Sequence, residues 1–148
     1  MHSIQASFIA LALSAVAASS ALAQSDFAQV AAKESGAKVT ASGLVFRSLQ
    51  DGQGASPSAT DKVKVHYRGT FPDGKEFDSS YKRNQPIDFP LNAVIPCWTE
   101  GVQLMKVGGK AKLTCPPGIA YGARGAGGVI PPNATLQFEV ELIAIAGR

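Results

Sequence analysis

The sequence predicts an α+β fold in which one short helix lies on the apolar face of an antiparallel sheet. Short segments with alternating apolar and polar residues indicate half-buried strands, and the alternation is most regular in residues 62–68. Trp98, Val102 and Met105 instead have the spacing of an amphipathic helix. The chain has 148 residues, 45% of them hydrophobic, which is enough for one domain with its own core.

The first 23 residues are predicted to lie outside this fold. Residues 4–18 are almost wholly small and apolar, and residues 21–23 (Ala-Leu-Ala) have the small-x-small pattern cleaved by signal peptidase. We therefore expect a signal peptide over residues 1–23, a mature chain beginning at Gln24, and a periplasmic or secreted product. A membrane anchor is the alternative, but the run is short and rich in Ala and Ser for a bilayer span. No lipoprotein cysteine follows it, so we expect no membrane anchor.

Residues 24–42 are predicted to form a polar leader with a short helix over residues 26–33. The folded domain is expected to occupy residues 43–148 and to begin with a strand over 44–49. In the strand over residues 62–68, Val63, Val65 and Tyr67 are predicted to face the core because they alternate with charged residues and His66.

Four further strands are predicted after a turn at Pro72 and Gly74, where Pro presets the bend and Gly takes a positive φ. Residues 75–80 and 87–91 are strand candidates, and Gly108 with Gly109 ends the helix. Residues 110–115 alternate again. Residues 134–145 are predicted to form the longest strand.

The two cysteines, Cys97 and Cys115, are predicted to form a disulfide, because an exported protein folds in an oxidising compartment. Such a bond would contribute about 3 kcal/mol in the chain-entropy treatment. Two small buried thiols are the alternative. A redox-active pair is not expected, since the spacing is not Cys-x-x-Cys.

Composition and motifs exclude several function classes. A net charge of +3 with no basic run does not indicate nucleic-acid binding. The expected mature chain has one histidine, His66, on the polar face of a strand, so neither a hydrolytic triad nor a metal site is predicted. The glycines have no phosphate-binding spacing, and we expect no cofactor.

A ring-lined pocket is the remaining candidate site. Residues 115–133 are rich in Gly and Pro but carry Ile119, Tyr121, Val129 and Ile130, which a disordered linker would lack. The aromatic residues at inward or loop positions are Tyr67, Phe77, Phe89, Trp98, Tyr121 and Phe138. These rings alone could simply form the core. Asp78, directly after Phe77, favours a pocket because its carboxylate could face the same space.

Five segments carry a resemblance to a known family over residues 44–145. They are Val65-His66-Tyr67-Arg68-Gly69, Phe77-Asp78-Ser79-Ser80, Val94-Ile95-Pro96-Cys97-Trp98-Thr99-Glu100-Gly101, Ala120-Tyr121-Gly122 and Ile130-Pro131-Pro132-Asn133-Ala134-Thr135-Leu136. In order and spacing this chain closely resembles the FKBP-type peptidyl-prolyl cis–trans isomerases, the receptors of macrolide immunosuppressants. Linked motifs over about a hundred residues are a specific signal, whereas the Pro-Pro pair alone would be weak.

The resemblance implies a twisted, five- to six-stranded antiparallel sheet wrapped around the helix, with Trp98 as the floor of a pocket. It implies that the catalytic residues are Tyr67, Phe77, Asp78, Tyr121 and Phe138. It implies that the substrate-binding residues are Arg83, Phe89, Val94, Ile95, Trp98 and Ile130. In this arrangement the Ile95 N–H binds a ligand carbonyl and the Tyr121 hydroxyl binds the amide oxygen. Asp78 accepts a hydrogen bond or orients Tyr67 and Arg83.

The expected function is acceleration of rotation about X–Pro bonds during folding of exported proteins. The expected partners are proline-containing polypeptides and macrolide inhibitors. A monomer is expected, because exported relatives that dimerise carry a long helical N-terminal domain. A chaperone or binding module with little turnover is one alternative function, and an unrelated β-rich structural protein is another.

Overall fold

The computed structural model of the protein describes residues 26–147, so the predicted signal peptide over residues 1–23 lies outside the described residues. Residues 26–32 are helical, as predicted, and are called α1 here. The strands are β1 (Ala37–Val39), β2 (Val45–Gln50), β3 (Lys62–Thr70), β4 (Glu76–Ser79), β5 (Ile87–Pro90), β6 (Lys110–Cys115) and β7 (Leu136–Ile145). Helix α2 spans Pro96–Gln103, and single 3₁₀ turns occupy Leu91–Ala93 and Pro117–Ile119.

All strand pairs in the sheet are antiparallel, which confirms the predicted α+β class. The strand order is β1-β2-β6-β7-β3-β4, and β5 also pairs with β3. Strands β4 and β5 share one edge of β3: β4 pairs with residues 68–70 and β5 with residues 62–65. Strands β4 and β5 therefore lie one after the other along the same edge of β3.

The sheet has seven strands, where five or six were expected. The additional edge strand is β1, in a segment that was predicted to be a polar leader. Its three residues are paired with Val45, Phe46 and Arg47 of β2. Three residues are too few to show a period of two, so hydrogen bonding to β2 rather than local pattern creates this strand.

Helix α2 packs its apolar face against the sheet. Pro96 begins the helix, where its missing N–H costs no intrahelical bond, and Trp98 and Val102 are buried beneath it. A Cβ on Gly101 would lie 2.9 Å from both Cδ atoms of Leu113 in β6, so glycine lets the helix approach this strand closely.

A disulfide joins Cys97 in α2 to Cys115 at the end of β6, with the Cα atoms 5.8 Å apart. Both cysteines are fully buried. The bond therefore links the turn of helix that carries Trp98 to the sheet on which this helix lies.

Glu34 joins the segment around α1 to the sheet through two ion pairs. The Glu34 carboxylate accepts hydrogen bonds from Nη1 of Arg47 at 3.2 Å and from Nζ of Lys112 at 2.9 Å. Ala31 is the one buried residue of α1 itself. Within residues 26–147, no helix is long and apolar enough to cross a membrane.

Candidate active site

A cavity of about 440 Å³ opens between α2 and the sheet. Its walls come from β3, β4, β5, β7, the segment leading into α2 and the loop after β6. The lining residues are Tyr67, Phe77, Asp78, Phe89, Ala93, Val94, Ile95, Trp98, Tyr121 and Phe138. Most of these side chains are apolar or aromatic, so the cavity offers an apolar surface with a few polar groups, the usual composition of a small ligand site.

Trp98 forms the floor of this cavity and is surrounded by rings that stand on edge to it. The centroids of Tyr67, Phe89 and Phe138 lie 5.3, 5.5 and 5.5 Å from that of Trp98. The corresponding interplanar angles are 83°, 78° and 89°, the edge-to-face geometry that aromatic pairs favour. The four rings brace one another and give the cavity a rigid apolar base.

A glycine in β3 makes room for two of the wall residues. The Cβ of any residue replacing Gly69 would lie 2.5 Å from Cζ of Phe77 and 3.0 Å from Cε1 of Phe138. These two rings contact each other at a centroid distance of 5.6 Å. Because Gly69 has no side chain, the rings of Phe77 and Phe138 can pack directly over β3 and form one wall of the cavity.

The polar side of the cavity is a network of three side chains from β3, β4 and the following turn. The Tyr67 hydroxyl donates a short hydrogen bond to Oδ2 of Asp78. Nη1 of Arg83 donates to Oδ1 of Asp78 at 2.7 Å, and Nη2 of Arg83 donates to the Tyr67 hydroxyl at 3.2 Å. The Asp78 carboxylate also accepts the backbone N–H of Ser79 at 2.9 Å.

This network fixes the charge state of its members at neutral pH. Burial raises the pKa of Tyr67, and the hydrogen bond to Asp78 raises it further. Burial alone would raise the pKa of Asp78, but the hydrogen bonds from Arg83 and Tyr67 outweigh it and lower this pKa below 3.8. Tyr67 is thus a neutral phenol, and the charge of Asp78 is balanced by Arg83.

Three hydrogen-bond donors at the cavity have no protein acceptor among residues 26–147. The backbone N–H of Ile95, at the residue before α2, takes part in no backbone hydrogen bond there. The Tyr121 hydroxyl has no partner there, and its side chain is 40% exposed. Trp98 Nε1 is buried and also lacks a partner. Ile95 and Tyr121 therefore present accessible donors to a bound carbonyl group.

The predicted site residues are brought together with two exceptions. Arg83 does not line the cavity but reaches it through Asp78 and Tyr67. Ile130 is buried in the adjoining core and forms no wall of the cavity, so its role in substrate binding stays a prediction.

The sequence reasoning missed Ala93 as a wall residue and Gly69 as the residue that admits two rings. Ala93 gives no signal of its own apart from directly preceding Val94 and Ile95. Gly69 interrupts an otherwise regular strand, and an isolated glycine there is a sign of close approach by another group.

Within the described range, residues 26–147, no three His, Cys, Asp or Glu side chains form a group able to hold a metal ion. The cavity residues form no pair of nucleophile and base. What the arrangement can do is seat an apolar ring over Trp98 while two donors bind carbonyl groups.

Residues 53–143 match the family model described as FKBP-type peptidyl-prolyl cis-trans isomerase. Among named proteins, the chain is 59% identical over 114 residues to the FKBP-type peptidyl-prolyl cis-trans isomerase FkpA of Aeromonas hydrophila, covering 77% of this chain and 42% of that protein. It is 54% identical over 114 residues to the FKBP-type 22 kDa peptidyl-prolyl cis-trans isomerase of Escherichia coli, covering 77% and 55%. The chain thus spans about half the length of these relatives.

Solved structures share the whole fold. The crystal structure of a peptidyl-prolyl cis-trans isomerase from Pseudomonas syringae superposes with a TM-score of 0.79 at 42% identity, covering 86% of this chain and 94% of that one. The crystal structure of FkpA from Escherichia coli superposes with a TM-score of 0.78 at 41% identity, covering 96% and 71%. These findings confirm the FKBP-like fold expected from the sequence.

Proposed function

The chain belongs to the family of FKBP-type peptidyl-prolyl cis–trans isomerases, and from this we propose that it accelerates rotation about X–Pro bonds in polypeptides. The observation that carries the proposal is the cavity whose floor is Trp98 and whose walls are rings standing on edge to it. A proline ring is apolar and compact, so it fits such a base. The expected substrates are proline-containing polypeptides.

The reaction needs no nucleophile, because no covalent bond is formed or broken. Resonance holds an amide planar with a rotation barrier of about 18–20 kcal/mol, and unaided X–Pro bonds interconvert in tens to hundreds of seconds. A twisted amide loses that resonance and is less polar than a planar one. An apolar cavity that excludes water therefore favours the twisted state relative to the planar ground state.

The free donors at the cavity add to this effect by positioning the substrate. The Ile95 N–H binds a carbonyl next to the proline, and the Tyr121 hydroxyl binds the amide oxygen of the rotating bond. A donor on the amide oxygen favours the planar state, so the contribution of these donors is to hold the proline ring in one orientation in the cavity. Each tenfold increase in rate requires about 1.4 kcal/mol of stabilisation that is specific to the twisted state.

Asp78 and Arg83 act on the same cavity through Tyr67. Asp78 accepts the Tyr67 hydroxyl and the Arg83 guanidinium, which keeps the Tyr67 ring against Trp98. The balanced charge of the pair lets a carboxylate stand beside an apolar site without a net charge there. We therefore assign Asp78 a direct role at the cavity and Arg83 the role of a positioning residue.

Export, oligomeric state and drug binding are parts of the same proposal. The disulfide between Cys97 and Cys115 supports a periplasmic or secreted location, since such bonds persist in oxidising compartments. The predicted signal peptide has the same implication. We expect a monomer, and we expect macrolides to compete with substrate for the cavity.

The proposal is tested with a proline-containing peptide whose cis–trans relaxation is followed with and without the protein. We expect acceleration that a macrolide suppresses and that Tyr121→Phe reduces. Tyr81→Phe is the matched control, because Tyr81 is similarly exposed (42% against 40%) and its hydroxyl bonds Glu141 away from the cavity. No acceleration by the unaltered protein would overturn the proposal.

A chaperone or binding role with little turnover is the second candidate function. It is favoured by the exposed Tyr121 and Val129 on the loop between β6 and β7, which offer apolar surface to an unfolded chain. A protein of this kind would bind a permanently unfolded chain but would not speed a refolding reaction limited by proline isomerisation. Measuring both with the same preparation separates the two functions.

A further inference from the structure

A second concave surface continues from the cavity along the outer side of helix α2. This groove has a volume of about 750 Å³ and shares Val94 with the cavity as a common wall. Its other walls include Ser42, Glu100, Leu104 and Ile119. We call this surface the flanking groove.

The flanking groove adjoins the cavity at two places. In the segment entering α2, Val94 lines both, while Ile95 faces the cavity and Pro96 the groove. After β6, Ile119 lines the groove and Tyr121, two residues later, lines the cavity. A bound chain that leaves the cavity would therefore pass over Val94 to reach the groove.

The chemistry of the flanking groove is apolar with one charge. Leu104 is 51% exposed at the end of α2, and Val94 and Ile119 are half-buried. Glu100 is the charged residue among the lining side chains. Oε1 of Glu100 accepts the Ser42 hydroxyl at 2.5 Å, and no cation pairs with this carboxylate among residues 26–147.

The other polar groups of α2 at this surface already bond to the protein. The Thr99 hydroxyl donates to the carbonyl oxygen of Leu91 at 2.6 Å, and the Gln103 amide donates to the carbonyl oxygen of Thr99 at 2.7 Å. Glu100 is therefore the group best placed to distinguish one bound side chain from another by charge.

We propose that the flanking groove is a second subsite, which binds substrate residues a few positions from the proline and selects for a basic side chain through Glu100. The inference rests on the proposed function, because it requires the proline to occupy the cavity. One extended residue spans about 3.3 Å, so the test scans several positions on either side of the proline. Apolar neighbours would pack on Val94, Leu104 and Ile119.

The interaction is made far from the rotating bond and is equally strong in the planar and twisted states. It therefore lowers KM and leaves kcat unchanged. An ion pair at a partly exposed surface is weak, so we expect a preference of about fivefold for Lys over Glu in the substrate. Raising the ionic strength should reduce that preference, because salt screens exposed charges.

The test uses peptides with a constant X–Pro core and Lys, Ala or Glu placed two, three or four positions before or after it. Each peptide is assayed with the unaltered protein, with Glu100→Gln, and with Glu139→Gln. Glutamine can still accept the Ser42 hydroxyl. Glu139 is an exposed β7 residue between the inward-facing Phe138 and Val140, so the control makes the same charge change on the opposite face of the sheet from α2.

We expect the fivefold Lys-over-Glu preference at one or more positions in the unaltered protein and the control, and its disappearance in Glu100→Gln. An unchanged ratio in all three proteins at every position would overturn the proposal. Binding is measured in parallel from the fluorescence of Trp98, the one tryptophan of the chain. If no peptide is isomerised but the charge preference appears in these dissociation constants, the proposed activity fails while the subsite stands.

Discussion

The cavity over Trp98 and a larger cavity beside α1 differ in size and in the chemistry of their walls, and the smaller one is the better candidate site. A cavity of about 880 Å³ lies between α1 and the turn after β3, whereas the cavity over Trp98 has about 440 Å³. The larger cavity is lined partly by Val30, which is 66% exposed, and by Glu34 and Lys112. These two charged groups already bond to each other at 2.9 Å.

Among residues 26–147, the smaller cavity has contacting aromatic rings and unpaired hydrogen-bond donors in its walls. Its floor and walls are rings in mutual contact, and its unpaired donors converge on one apolar space. Five of its rings belong to the sheet and to α2, and a disulfide joins α2 to the sheet. The larger cavity is bounded on one side by the short helix α1, whose one buried residue is Ala31. Volume alone therefore does not identify a site; convergence of rigid, unsatisfied groups does.

The largest effect is expected from Phe138→Ala, which tests whether the rings carry both stability and function. The Phe138 ring contacts Trp98 and Phe77 and is 5% exposed, so its removal should cost about 3–5 kcal/mol of unfolding free energy. Isomerase activity should fall at least tenfold, measured below the midpoint of unfolding. Val30→Ala in the larger cavity is the control and should change stability by less than about 0.5 kcal/mol.

Equal losses of stability and activity from Phe138→Ala and Val30→Ala would contradict the distinction between the two cavities. The denaturant midpoint of each variant gives the stability, and the rate of peptide isomerisation on the folded fraction gives the activity.

The next effect concerns the disulfide that anchors α2. Replacing Cys97 and Cys115 by Ala should lower the unfolding free energy by about 3 kcal/mol, because an 18-residue sequence separation is no longer closed in the unfolded chain. A denaturant titration of the unaltered protein with and without reductant measures the same quantity. A stability that reductant does not alter, with thiols shown to be free, would contradict the assigned anchor.

Asp78→Asn should reduce activity about tenfold, since one charge-assisted hydrogen bond is worth about 1.5–3 kcal/mol and part of that is retained by the amide. The pKa of Asp78 is lowered in the folded protein, so its ionised form stabilises the fold above the ordinary Asp pKa. That contribution is lost as pH falls from about 3.8 through the folded value. The contribution is small because the Asp78 side chain is 38% exposed.

Comparing acid unfolding of Asp78→Asn with that of the unaltered protein isolates this contribution. The difference in stability between the two proteins should shrink as pH falls below 3.8. A constant difference over this range would contradict the network described for Asp78 and Arg83.

The smallest effect is expected from Glu34→Gln in the larger cavity. It removes the charge that pairs with Arg47 and Lys112, whose side chains are 31% and 16% exposed, and should cost about 1 kcal/mol or less. Isomerase activity should stay unchanged, because none of these three residues lines the smaller cavity. A large loss of activity would show that the two regions are coupled and would weaken the distinction drawn between them.

Local patterns predicted most of the elements and failed where an element depends on a partner. The alternation of Val63, Val65 and Tyr67 predicted β3 and its inward face, and the spacing of Trp98 and Val102 predicted α2. Strand β1 was missed because its three residues are extended only by pairing with β2. The groove beside α2 also gave no signal, since it joins residues separated by more than seventy positions.

The candidate site also has residues that the sequence indicated and residues whose role appears only in the tertiary structure. The five linked motifs contain seven of its ten wall residues, including Asp78 and Tyr121, and the wider resemblance added Phe89 and Phe138. Ile130 was assigned to substrate binding by its motif, yet its side chain lies in the core beside the cavity. Arg83 was placed near the pocket by resemblance, and its proposed role in positioning Tyr67 follows from its hydrogen bonds to Asp78 and Tyr67.

By itself, the amino-acid order determined the periods of the strands and the helix, and through linked motifs it determined the family. Those signals are local, because a side chain's face follows from its neighbours two or four positions away. Only the tertiary structure decided that rings from residues 67, 89 and 138 stand on edge around Trp98, and that Val94 joins a second groove to their cavity. Strand order and sheet twist set those distances, and neither is written in any short stretch of the chain.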